Sequence, residues 1–161
     1  MSKKLWALAA VLGAAALAVA AVAPGALAAE PTPATNAVIG GTGVLDARGD
    51  GLVAVKGAMD YHASGTEAVL LVKDEGGNAF INVSGYGTTF HWNGFTAYAG
   101  FHGTAHIIGG DVAVILVGRD LNVDVAGRGW AYLKGNGSYF VNGHGPFPWS
   151  PDGNFAAVTP D

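Results

Sequence analysis

Every second residue from Gly41 to Gly65 is apolar or glycine: Gly41, Gly43, Leu45, Ala47, Gly49, Gly51, Val53, Val55, Gly57, Met59, Tyr61, Ala63 and Gly65. The positions between them carry Thr42, Asp46, Arg48, Asp50, Lys56, Asp60, His62 and Ser64, with Val44, Leu52, Ala54 and Ala58 interspersed. A period of two sends successive side chains to opposite sides of a strand, so this stretch predicts extended chain with one buried face and one wet face. The alternation returns from Leu121 to Gly143 through Val123, Val125, Gly127, Gly129, Ala131, Leu133, Gly135, Gly137, Tyr139 and Val141. No window from Val38 to Gly143 repeats apolar residues at three and four while avoiding glycine, and no helix is predicted there.

Setting Leu45 against Val123 aligns Gly49 with Gly127, Gly51 with Gly129, Gly57 with Gly135, Tyr61 with Tyr139 and Gly65 with Gly143, which reads as an internal repeat. A shorter copy is Ile81-x-Val83-x-Gly85-x-Gly87. Two continuous apolar runs, Ala68 to Val72 and Val112 to Val117, predict strands buried on both faces. Glycine inside a strand costs entropy and packs nothing, so the pairs Gly49/Gly51 and Gly127/Gly129 need a reason. The odd-even phase runs unbroken through both, as a bend allows and a two-residue hairpin does not. Bending strands or close backbone approach are therefore expected there. Chain reversals are expected at Gly65-Thr66-Glu67, Asp74 to Asn78, Trp92-Asn93-Gly94, Gly109-Gly110-Asp111 and Gly118-Arg119-Asp120, which hold turn residues. The predicted fold class is all-β, a glycine-rich antiparallel barrel or sandwich with internal repeats. The alternative is a parallel β-solenoid, whose coils the glycine landmarks would mark.

The stretch from Asp120 to Gly135, Asp-Leu-Asn-Val-Asp-Val-Ala-Gly-Arg-Gly-Trp-Ala-Tyr-Leu-Lys-Gly, resembles the apolar-x-apolar-x-Gly-x-Gly units of glycine-rich bacterial surface β-repeat proteins, adhesin head domains among them. The resemblance implies an extracytoplasmic structural or adhesive role and supplies no catalytic residue.

Ahead of the β pattern the chain is organised differently. Lys3 and Lys4, an apolar run from Leu5 to Val22 and the small-residue exit Ala26-Leu27-Ala28 have the three zones of a secretion signal, expected to span residues 1–28. An uncleaved anchor is the alternative, since the apolar run approaches bilayer length, but Pro24-Gly25 and the A-x-A exit fit cleavage better. Residues 29–37 form a proline-spaced linker, 38–145 the β-repeat domain, and 146–161 a C-terminal tail expected to pack on that domain. Two of the eight basic residues leave with the signal while all twelve acidic ones stay, so the mature chain carries six against twelve, a net charge of −6. With no basic patch, nucleic acid is not an expected partner, and neither is a membrane once the signal is cleaved. The absence of cysteine excludes disulfides and a lipidated N-terminal cysteine.

Candidate chemistry is sparse. Of the five histidines, His102 and His106 stand four apart, which on a strand separates them by roughly 13 Å. No metal site and no cofactor is therefore expected. Gly40-Gly41-Thr42-Gly43 fails as a calcium repeat because Leu45 occupies the aspartate position, and Arg48-Gly49-Asp50 is a chance match to an attachment tripeptide. No nucleophile elbow or phosphate loop occurs, and no catalytic residue is named. The aromatic residues stand out instead. Trp92 and Tyr98 belong to a dense cluster with Phe90, Phe95 and Phe101, while Trp130 and Tyr132 lie on the polar side of the last repeat. Exposed, these rings would bind a sugar or another protomer. The alternative is that residues 145–153 cover Trp130 and Tyr132. The expected function is an exported, non-enzymatic structural or surface protein of the cell envelope, adhesive or self-assembling, whose partner is itself or a cell-surface polymer. A secreted β-barrel that binds a sugar or small apolar ligand is the alternative.

Overall fold

A computed structural model describes residues 42–159. The segments expected to be a secretion signal and a linker, and the first residues assigned to the β domain, lie outside them. Among the described residues there is no helix, and the chain forms one antiparallel sheet in six strands: β1 (Gly43–Asp74), β2 (Phe80–Val83), β3 (Thr88–Trp92), β4 (Phe95–Val141), β5 (His144–Pro148) and β6 (Asn154–Val158). The sheet is not closed into a barrel, and the fold is sandwich-like.

The register explains how strands of such length fold back on themselves. Leu45 pairs with both Val125 and Val141, and Val125 pairs with both Leu45 and Tyr61. Successive passes of β1, sixteen residues apart, thus flank the same pass of β4. The register slips at 49–51, 57–59 and 65–68 of β1, and there the strand turns a corner. Between corners the pairing fixes two sets of segments. One set runs in the order β5, 137–141, 43–49, 121–127, 59–65, 103–109, β2. The other runs β6, 129–135, 51–57, 112–118, 68–74, 95–101, β3. We call these the first and second layers.

The inward residues of both layers share one apolar core. Leu45, Ala47, Tyr61, Ile107, Val123 and Tyr139 from the first layer meet Val53, Leu70, Val114, Leu116 and Leu133 from the second. Leu45, Ala47, Val53, Tyr61, Val123, Leu133 and Tyr139 are odd positions of the alternating stretches, so the predicted buried face lies in the core, while Leu70, Val114 and Leu116 come from the continuous apolar runs. The run Ala68 to Val72 is buried on both faces, as its continuous apolarity predicts.

Glycine makes the corners possible. Gly49 opposes Gly137, Gly51 opposes Gly135 and Gly57 opposes Gly129 across the strands. A Cβ on Gly57 would stand 2.1 Å from the Arg128 carbonyl oxygen, and one on Gly129 2.1 Å from that of Lys56. The backbones approach so closely that neither side tolerates a side chain. The bends expected at Gly49-Asp50-Gly51 and Gly127-Arg128-Gly129 are therefore present.

Three expectations are corrected. No parallel solenoid forms, because every strand-to-strand ladder is antiparallel. Gly65-Thr66-Glu67, Gly109-Gly110-Asp111 and Gly118-Arg119-Asp120 are corners within continuous strands. A single residue with positive φ, Glu67 at 47° or Asp120 at 49°, shifts the register at two of them and lets the strand continue. A further reversal occurs at Asn142-Gly143, inside the alternating stretch. Its φ values of 51° and 77° match those of the expected hairpin at Asn93-Gly94, 49° and 81°, and both are Asn-Gly turns whose twist suits a two-residue hairpin.

Candidate functional site

The pairing gives the molecule two unlike ends. At one, β2 and β3 are consecutive in sequence and form the outermost segments of the two layers. At the other, β5 and β6 do the same. An outermost strand presents unpaired backbone groups, and proteins blunt such edges with charge or proline. β5 carries Pro146 and Pro148, which have no N–H to donate. The β2–β3 end has neither device: from Gly76 to Gly110 the chain contains no Asp, Glu, Lys, Arg or Pro. Phe80 is 54% exposed and Tyr86 44%, and Ile81 stands at the open rim of the core. This combination was readable in the sequence as a long uncharged stretch, but only the pairing shows that it forms an edge.

The four aromatic residues singled out by the sequence do not converge. Trp92 ends β3 opposite Phe95, and Tyr98 packs partly on the core with the Tyr86 ring 5.1 Å away. Burial, helped by Tyr86, raises the Tyr98 hydroxyl above its ordinary range. Trp130 and Tyr132 stand near the opposite end, beside β6. The Phe155 ring lies 4.9 Å from Tyr132 and 6.0 Å from Trp130, and the Tyr132 hydroxyl donates to the Asp152 carbonyl at 3.0 Å. Four strand spacings separate Tyr98 from Trp130 and Tyr132 and five separate Trp92 from them, roughly 19 and 24 Å at about 4.8 Å each. They line no common cavity.

Polar chemistry gathers elsewhere, on the outer side of the first layer. The even positions of the alternating stretches point there, and the register lays Phe140, Asp46, Asp124, His62, His106 and Asn82 in a row across the strands. Burial first, then the hydrogen bond and charge of Asp124, raise the Asp46 carboxyl above its ordinary range, and Arg48 opposes the rise. A groove of about 500 Å³ opens beside this pair, lined by Asp46, Arg48, Ser138, Phe140 and Gly143. Farther along the row, Asp60 Oδ1 lies 3.1 Å from His62 Nε2 and 2.9 Å from His106 Nε2. The two imidazoles stack at 3.9 Å with 18° between their planes.

Period-two alternation already places Asp60 and His62 on the wet face together. His106 is added by the register alone, which pairs it directly with His62. Sequence spacing directed attention to His102 and His106 instead. His102 is exposed, and its backbone N–H donates to the Gly85 carbonyl at the corner of β4.

On the outer side of the second layer the ionic contacts are structural. Lys56 and Lys73 both reach Glu75, and their hydrogen bonds hold its carboxyl below the ordinary range. Compared with known proteins, the chain matches no family model, no curated protein and no solved structure.

Proposed function

We propose that this chain is an exported, non-enzymatic structural protein of the cell envelope that assembles with copies of itself through the β2–β3 edge. The observation that carries this function is the asymmetry of the two ends: proline on β5, and no charge or proline anywhere from Gly76 to Gly110. Edge strands recruit further strands through main-chain hydrogen bonds, and nothing in the side chains of β2 or β3 opposes that.

A second copy of the chain is the partner that charge favours. With a net charge of −4, or −6 without the signal, two molecules repel over most of their surface. The uncharged edge is where that repulsion is least. An antiparallel pairing of β2–β3 with its own counterpart is self-complementary and closes as a two-fold dimer. Adhesion to a cell-surface polymer would use the same exposed rings, Phe80 and Tyr86. Binding of a sugar or apolar ligand between Trp92, Tyr98, Trp130 and Tyr132 has less support, because the pairs stand at opposite ends.

Placing a lysine on each edge strand, Ile81→Lys with Thr88→Lys, tests the assignment. Sedimentation of the wild type is expected to show a dimer or larger species, and the double variant a monomer with an unchanged β-sheet circular dichroism spectrum. A wild type that stays monomeric at high concentration would overturn it.

A further inference from the structure

We propose that Asp60, His62 and His106 form a binding site for one divalent transition-metal ion, with zinc the best fit. Each residue offers one ligating atom within 4.8 Å of the other two, and both Nε2 atoms already touch Asp60 Oδ1. Zinc bonds to imidazole nitrogen and carboxylate oxygen are about 2.0–2.2 Å long, so donors around one tetrahedral ion stand roughly 3.4 Å apart. The present separations of 2.9 and 3.1 Å need to widen by a few tenths of an ångström, and the imidazoles, now stacked 18° from parallel, need to turn so that both Nε2 lone pairs meet at the ion.

The sheet holds these ligands in place. His62 lies on segment 59–65 and His106 on segment 103–109, and each segment is paired on both sides. Direct cross-strand partners have Cβ atoms about 4.5–5.5 Å apart, a span that two imidazoles bridge onto one ion. Asp60 is two residues before His62 and shares its face. The Phe80 ring meets His106 edge-on at 5.7 Å and limits its rotation.

Charge and ligand type agree with this geometry. Asp124 is the other cross-strand partner of His62, with Asp46 beyond it, while the basic groups of this face, Arg128 opposite Ala58 and Arg48 opposite Asn122, stand one row away on either side. The site is thus negative, as a cation requires. Two imidazoles and one carboxylate suit zinc and its neighbours, whereas calcium and magnesium prefer oxygen alone. Three protein ligands leave a coordination position open to solvent or to an external donor. Without a metal, each imidazole satisfies the shared carboxylate as an Nε2–H donor. When a metal binds, each neutral ring carries its proton on Nδ1 instead, exchanged through solvent, and the freed Nε2 lone pair and the carboxylate oxygen face the ion.

Titrating the untagged full chain with zinc chloride by calorimetry at neutral pH tests the site. One ion per chain with micromolar affinity is expected, with at least a tenfold loss in His62→Ala and in His106→Ala and none in His91→Ala or His144→Ala. Cobalt bound in place of zinc is expected to give visible absorption bands of low coordination number that vanish in the first two variants. His62, His91 and His144 are exposed and His106 is half-buried, and melting curves without metal check that each variant folds. Absence of binding heat in the wild type, or wild-type affinity in both His62→Ala and His106→Ala, would overturn the proposal.

Discussion

Three residues show how tightly this architecture constrains single positions. At Gly57, with φ of 149°, an added Cβ meets backbone rather than a movable side chain. Gly57→Ala is expected to cost about 2–4 kcal/mol in urea unfolding. Gly110→Ala, where a Cβ meets nothing within 4 Å, is expected to be near neutral. Tyr61 is fully buried, its hydroxyl has no partner among the described residues, and burial drives its pKa far up. Removing an unpaired buried hydroxyl without changing the ring relieves a desolvation cost, so Tyr61→Phe should gain about 1 kcal/mol. Asp46 titrates the other way from a paired carboxylate. Its folded pKa lies above the unfolded value of about 3.9, so the native state binds the extra proton between the two values. Stability therefore falls as pH rises through that window, and the cost is fully present above it. Asp46→Asn should stabilise the fold at pH 7 by about 0.2–1 kcal/mol, toward the lower figure because the pair is partly solvated, with the gain vanishing below about pH 4. Thermal melts across pH check both the sign and the window.

At the scale of elements, the alternating stretches disclose the strands and the side that faces the core, because period-two burial is a local property. The glycine pairs disclose the corners for the same reason: unbroken parity through Gly49-Asp50-Gly51 already argues against a reversal. Turn composition misleads where Gly65-Thr66-Glu67 and Gly118-Arg119-Asp120 use the vocabulary of hairpins to make bulged corners. Conversely, Asn142-Gly143 is a hairpin at the last two positions of the alternating stretch, where parity alone gives no sign of a reversal. What no local pattern contains is register. The slip of sixteen residues that places β4 between two passes of β1 also brings His106 to His62 and carries Trp130 and Tyr132 away from Trp92 and Tyr98. The aromatic rings were legible as candidates, but their separation was not, because it depends on which strands lie between them.

For the whole molecule, the order of strands within each layer matters more than any single residue. Both ends of the strand order are edges, and the sequence treats them unequally, with proline at β5 and an uncharged run through β2 and β3. The core supplies no reason for that inequality, since both ends complete the same two layers. Assembly supplies one. Whether the β2–β3 edge joins copies of this chain, as proposed, is decided by sedimentation equilibrium of the wild type beside the Ile81→Lys, Thr88→Lys double variant. A concentration-dependent assembly is expected for the wild type and a folded monomer for the variant. A wild type that sediments as a monomer across the whole concentration range, or a folded double variant that assembles equally well, would contradict it.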